Sequence, residues 1–255
     1  MKNNLLNRVA TCFGTKGVSR SIRAYSLTSY ILHPTSYIAS IRVLTVLVIA
    51  ALVATAAAAE PVDFTSKSAL MTLGVQEKEV SVGDLAADAV RRTGRSEIAF
   101  VAASELKEVK EEIPAGKVSS SRIIELLSYP EEQVVVVRLT GAQIKSALEK
   151  SVSAQPRKNM GFLQVSGLKF EFEAKGSGDR VRQVTVGDQP LAADRNYEVA
   201  MSKSLGNGAL GYWRIWGKDN IVRETKLSMA QSIEAFLSAA KTVDYSKTDR
   251  IIKRS

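Results

Sequence analysis

Apolar positions recur at helical spacing from Val82, through Leu85, Ala86, Ala89 and Val90, until Thr93-Gly94 stops the run. This predicts a helix that starts at Ser81 as cap and carries Asp84 in its first turn. The short apolar run 97-EIAFVA-102 predicts a buried strand, and the charged stretch 105-ELKEVKEE-112 leads through Pro114 and Gly116 to a second capped helix near Ser120–Leu127. The β-branched run 133-QVVVVRLT-140 predicts another strand. Gly141 then opens a helix over 142–153, with Ile144, Ala147, Leu148 and Val152 on one face. Period two takes over at 168-LKFEFEA-174, where Leu168, Phe170 and Phe172 alternate with charges; the turn 175-KGSGD-179 and the return 180-RVRQVTV-186 make a hairpin with one wet face. A strand over 196-NYEVAMS-202 and a last helix near Ser228–Lys241 complete the pattern. Helices and strands mix without a repeating βαβ unit, so the expected class is α+β.

The N-terminal segment is different in kind. No Asp or Glu precedes Glu60, whereas six of the 35 Lys and Arg do, so the net charge of +9 falls to +3 over residues 60–255. A charge that small gives no reason to expect a nucleic-acid partner. The apolar run 43-VLTVLVIAALVA-54 after Arg42 and the small residues of 55-TAAAAEP-61 read as an export signal cleaved between Ala59 and Glu60. The strongly apolar part is shorter than the roughly twenty residues a spanning helix needs, so no stable membrane anchor is expected, although an anchor through 43–59 is the rival reading. The long, Ser- and Arg-rich leader also fits a transit peptide or a start codon set too far upstream. The chain thus divides into a targeting segment, 1–59, a linker or short edge strand, 60–79, and a domain, 80–255.

The one Cys, Cys12, and the one His, His33, both lie in the leader. The predicted mature segment therefore offers no disulfide, thiolate nucleophile, Ser-His-Asp triad or histidine-ligated metal, and no cofactor is expected. Two Ser-x-x-Lys matches, 104–107 and 238–241, are what composition alone produces, and neither has the companion elements of penicillin-recognising enzymes. Asp84 and Asp88 stand one helical turn apart and read as a solvated face, since they would repel and nothing nearby demands them. The stretch 204-SLGNGALGYWRIWG-217 is unusual, with four glycines and three aromatics. Rings on so glycine-rich a loop serve either as a packed corner or as a platform on which a flat ligand stacks.

The ordered set 81-SVGDLAADAVR-91, 138-RLTGAQIKSALEKSV-152, 161-GFLQVSGLKF-170 and 197-YEVAMSKSLGNGALGYW-213 resembles the C-terminal domain of the 5'-nucleotidase family, over about residues 75–240. The resemblance implies a four-layer α/β/β/α fold with mixed sheets that supplies the nucleotide-recognition surface. It also implies that catalysis belongs to a separate two-metal phosphatase domain, no counterpart of which stands in these residues. In the family, two aromatic rings sandwich the base. The resemblance places Tyr212 at one ring position, in 207-NGALGY-212 beside Asn207, and offers Tyr129 of 128-SYPEEQ-133 for the other. The family's glycine-rich Asn-Gly-Gly-Gly-Ile-Arg element falls on 102-AASELK-107, where Lys107 stands for the arginine as a point charge rather than a fork.

The ligand-binding candidates are therefore Tyr129, Tyr212, Lys107 and Asn207, with Trp213 and Trp216 packing inward and no catalytic or metal residue. The expected function is an exported, stand-alone recognition domain, non-catalytic alone, that binds a nucleoside- or nucleotide-like molecule weakly or serves a separately encoded metallophosphatase in nucleotide breakdown. The alternatives are an interaction module whose pocket is filled and, third, a phosphomonoester hydrolase.

Overall fold

A computed structural model describes residues 61–174 and 179–254; the leader, with Ala59 and Glu60, lies outside the described residues. The mixed α+β class expected from the pattern is the one found. The strands are β1 (Asp63–Ser66), β2 (Ile98–Ala102), β3 (Gly116–Ser119), β4 (Gln133–Thr140), β5 (Leu163–Ser166), β6 (Leu168–Glu173), β7 (Val181–Val186), β8 (Gln189–Pro190), β9 (Asn196–Ser202), β10 (Ile221–Ser228), β11 (Thr242–Val243) and β12 (Ile251–Arg254). The helices are α1 (Ser81–Gly94), α2 (Ser120–Ile124), α3 (Gly141–Val152), α4 (Lys203–Gly206) and α5 (Met229–Ala240).

The central sheet has the order β10-β4-β9-β2-β5. Only β2 and β9 run parallel in it, which places the C-terminal ends of both, the start of β4 and the start of β5 at one end. Its two faces divide as period two demands: Val136 and Ala200 meet α1 at Gly94, while Val135 and Val137 meet Gly206 on the opposite face. Helices α1 and α5 pack together on the first face, and α3 packs on both β4 and β7, joining the central sheet to the four-stranded sheet β12-β6-β7-β8. Helix α3 begins as the sequence requires: Thr140 accepts from the Gln143 N–H and the Gln143 side chain accepts from the Thr140 N–H.

Three expectations are corrected. Residues 61–79 are neither a linker nor an edge strand, because β1 is the middle strand of a sheet β11-β1-β3, and Leu70 and Val75 are buried. Its partners lie about fifty residues ahead and at the far end of the chain, so local composition could not show the pairing. Helix α2 stops at Ile124. Ser81 does not cap α1; Val80 is the capping residue, and the Ser81 hydroxyl accepts from the Met71 N–H instead.

The largest correction concerns Asp84 and Asp88. Asp84 is fully buried and Asp88 largely so, because Arg250, just before β12, folds back onto α1. Arg250 grips Asp88 with two hydrogen bonds of 2.8 and 3.0 Å and stands 3.6 Å from Asp84. The Tyr245 hydroxyl and the Ser166 hydroxyl both donate to Asp88 as well. Beside Asp84, Glu79 accepts from the N–H groups of Arg250 and Ile251, so one carboxylate pins the first turn of β12. Burial pushes the Asp84 carboxyl up to about 9; the charge of Arg250 opposes this, and the charges of Glu79 and Asp88 add to it.

Candidate functional site

Four segments meet at the end of the central sheet where β2 and β9 finish. The 3-10 turn Ala103–Glu105 continues β2, the loop 128–132 precedes β4, residues 159–162 precede β5, and α4 with the turn Ala209–Arg214 follows β9. They are tied by backbone: Ala103 and Ser104 donate to Phe162 and Met160, Ser128 donates to Glu105, and the Ser204 N–H reaches the Glu132 carboxylate at 2.7 Å. Every stretch that the resemblance singled out as ligand-binding thus comes from this end of the sheet.

The rings are arranged differently from the expectation. Gly208 is left-handed (φ 88°), and so are Leu210 (φ 57°) and Gly211 (φ 80°). These reversals turn Tyr212 inward and leave Trp213 outside. Tyr212 is 0% exposed, its hydroxyl donates to the Gly161 carbonyl at 2.7 Å, and its ring stacks on Trp216 at 4.7 Å. Trp216 in turn stacks on Phe100 of β2 and donates to the Leu205 carbonyl at 2.8 Å. The Lys150 ammonium stands 5.3 Å from the Tyr212 ring centre. Tyr212 is therefore the outer member of an aromatic column, and burial holds its phenol far above the usual range. No base can enter beside it, and the proposed sandwich of Tyr129 and Tyr212 is not formed.

Tyr129 is 61% exposed and Trp213 is 65% exposed, and these are the most exposed of the large apolar side chains at this end. Met160, in the segment before β5, and Leu210, in the turn that leads to Trp213, are also exposed. Trp213 was expected to pack inward with Trp216; its exposure follows from the left-handed pair before it. Gly208 has no room for a side chain because the Trp213 backbone lies against it, so the turn that presents the indole depends on glycine. The sequence signal for this, glycines at 208 and 211 flanking the ring cluster, was present but did not say which ring would turn out.

The antiparallel pairing of Leu106 with Leu127 sets Lys107 against Leu126 rather than Tyr129, and the Lys107 ammonium is already used, donating to the Glu125 carbonyl at 2.9 Å. Asn207 ends α4 beside a shallow hollow with Lys203, Lys218 and Glu224.

Sequence reasoning missed Glu105. Its side chain is buried and accepts from the Ala102 N–H at 2.6 Å. Burial pushes its carboxyl up to about 7, with Glu132 adding and Ser202 and the Ala102 N–H opposing. An acid thus occupies the segment where the resemblance would put a glycine cradle for phosphate. Among the described residues no group of three Asp, Glu, His or Cys is placed to hold a metal ion.

Comparison with known proteins agrees with this fold. The profile of the "5'-nucleotidase, C-terminal domain" family matches residues 54–215. An apyrase of Aedes albopictus is 26% identical over 188 residues, 69% of this chain and 33% of that protein. A trifunctional nucleotide phosphoesterase of Bacillus subtilis is 28% identical over 145 residues, 54% of this chain and 10% of that protein. A solved 5'-nucleotidase precursor from Thermus thermophilus superposes with a TM-score of 0.66 at 27% identity, over 74% of this chain and 39% of that one. The NAD nucleotidase of Haemophilus influenzae shares the fold, with a TM-score of 0.64 at 15% identity over 75% and 38% of the two chains. The chain spans a third or less of the curated relatives it matches.

Proposed function

The chain belongs to the 5'-nucleotidase family, whose C-terminal domain it carries, and from that premise we propose that it recognises a nucleoside-like ligand without performing phosphate chemistry itself. The observation that carries this is the pair of exposed rings, Tyr129 and Trp213, on joined loops at the end of the central sheet. An exposed indole held by a glycine-dependent turn offers a flat face on which a base can stack, worth roughly 1–3 kcal/mol. With the buried acid Glu105 in this segment and the Lys107 ammonium occupied, a phosphate finds no grip here and the base carries the binding. The relatives' names speak of nucleotide and NAD breakdown, which supports a role in nucleotide catabolism beside a separately encoded metallophosphatase. The leader fits export with cleavage between Ala59 and Glu60, so N-terminal sequencing of the exported protein should begin at or near Glu60; full-length chain in membranes would overturn that part.

The test of the non-catalytic reading is a phosphate-release assay. The purified protein should not hydrolyse AMP with Mn²⁺, Zn²⁺ or Co²⁺ present. Metal-dependent turnover that a chelator abolishes, and that follows this chain through purification, would defeat it.

The buried Tyr212 favours a second reading, in which the old pocket is filled and the sheet end is an interaction surface. Co-purification with a protein partner that Trp213→Ala disrupts, with no nucleoside response, would favour it.

A further inference from the structure

A second cleft lies away from the sheet end just described. It has a volume of about 630 Å³ and opens between the last turns of α1, the β5–β6 junction and the β7–β8 turn. That is a ligand-sized space. Its lining combines Arg91, Lys169, Arg195 and Arg250 with Asp88, Glu97 and Asp188.

Most of these charges are already satisfied. Arg250 is held by Asp88, Arg195 pairs with Glu97, and Lys169 pairs with Asp249 at 2.7 Å. Arg91 is different. Its Nε donates to the Ser166 hydroxyl at 2.7 Å, and that hydroxyl donates onward to Asp88 at 2.5 Å. Asp88 already receives Ser166, Tyr245 and both Arg250 nitrogens, so it has no lone pair left for Arg91. Among the described residues nothing accepts from the two terminal nitrogens of Arg91.

A free arginine on a surface is ordinarily a solvated side chain, and the last turn of a helix welcomes one. Two features separate Arg91 from that case. Its Nε is fixed by a buried serine at the end of a chain of hydrogen bonds running from Tyr245 through Asp88. Its stem crosses Gly167, a left-handed glycine (φ 79°), and a Cβ there would lie 3.0 Å from Arg91 Cδ as well as overlapping the Glu97 carbonyl. The guanidinium is thus positioned before any ligand arrives, with its planar two-nitrogen edge open. That edge matches a carboxylate or phosphate in bidentate fashion, and holding it in advance lowers the entropy cost of binding.

We propose that this cleft is a binding site for a small oxyanion, gripped by the open edge of Arg91, which Ser166 holds in place. Asp188 and Gln189 on the opposite lip supply acceptors, so the preferred ligand carries hydroxyl or amino donors beside its carboxylate or phosphate. The site is independent of the sheet-end rings, and neither reading stands or falls with the other.

The test follows backbone amide resonances of the full protein, at Gly167, Gly187 and Asp188, during titration with inorganic phosphate, glycerol 3-phosphate and L-malate. Saturable shifts in the low-millimolar range or tighter are expected for at least one, with the hydroxylated probes binding more tightly than phosphate. Arg91→Gln should weaken that binding at least tenfold, and Arg91→Lys, which keeps the charge but loses the fork, should recover only a small part. Ser166→Ala should weaken it severalfold, and Trp213→Ala should leave it unchanged. Thermal melts of the Arg91 variants are expected to match the parent, which separates lost binding from lost fold. Shifts that never saturate with any probe, or binding that survives Arg91→Gln, would overturn the assignment.

Discussion

Asp84 shows how far one residue's behaviour depends on what folds onto it. Its carboxyl is pushed up to about 9, so at neutral pH the folded chain holds a proton that the unfolded chain releases. The sign follows from linkage: where the folded state binds more protons, stability falls as pH rises. Glu105, pushed up to about 7, adds to the fall below neutrality and stops contributing above it. Between pH 7 and 9, therefore, the decline belongs to Asp84, at up to about 1.4 kcal/mol per pH unit for one proton. Denaturant melts across that range should show the decline in the parent and a flatter profile in Asp84→Asn. A parent equally stable at pH 7 and 9 would show that Asp84 is ionised at neutrality after all.

At the scale of elements, the C-terminal strand β12 is a latch closed by α1. Two backbone N–H groups on Glu79 and the Arg250 guanidinium on Asp88 and Asp84 fasten it, and parallel pairing with β6 continues from there. Arg250→Ala leaves the Asp88 carboxylate without its cation and should cost about 3 kcal/mol, the low end for a broken buried pair, because Arg250 keeps a fifth of its side chain in water. Amide exchange should quicken first in β12 and β6 and least in β4 and β9; a uniform change would mean that β12 is not a separate unit. The elements legible in the sequence were those whose cause is local. Residues 133–140 and 196–202 declared themselves as strands, and Gly141 marked the start of α3. What stayed hidden depends on distant partners: β1 needs β3 and β11, and Asp84 and Asp88 looked solvated because Arg250 stands some 160 residues away. The site was half legible for the same reason. The glycine-rich turn was visible, but left-handed Leu210 and Gly211, not the spacing of the rings, decide that Tyr212 goes in and Trp213 comes out.

For the whole molecule, the three mixed sheets, α1 with α5 and the aromatic column make a scaffold whose sheet end is built from four separate segments. The central claim is that this end recognises a flat ligand through its exposed rings. It is tested most directly by calorimetric titration of the protein with adenosine and AMP. One or two stacking contacts, after the cost of association, allow affinity no tighter than the high micromolar range, similar for both ligands because no open cradle meets the phosphate. Trp213→Ala should abolish the response while changing stability by no more than about 0.5 kcal/mol, as for an exposed side chain. Tyr212→Ala should instead cost about 3–5 kcal/mol as a core aromatic. A parent silent to both ligands at millimolar concentration, or a Trp213→Ala protein that binds as well as the parent, would contradict the account.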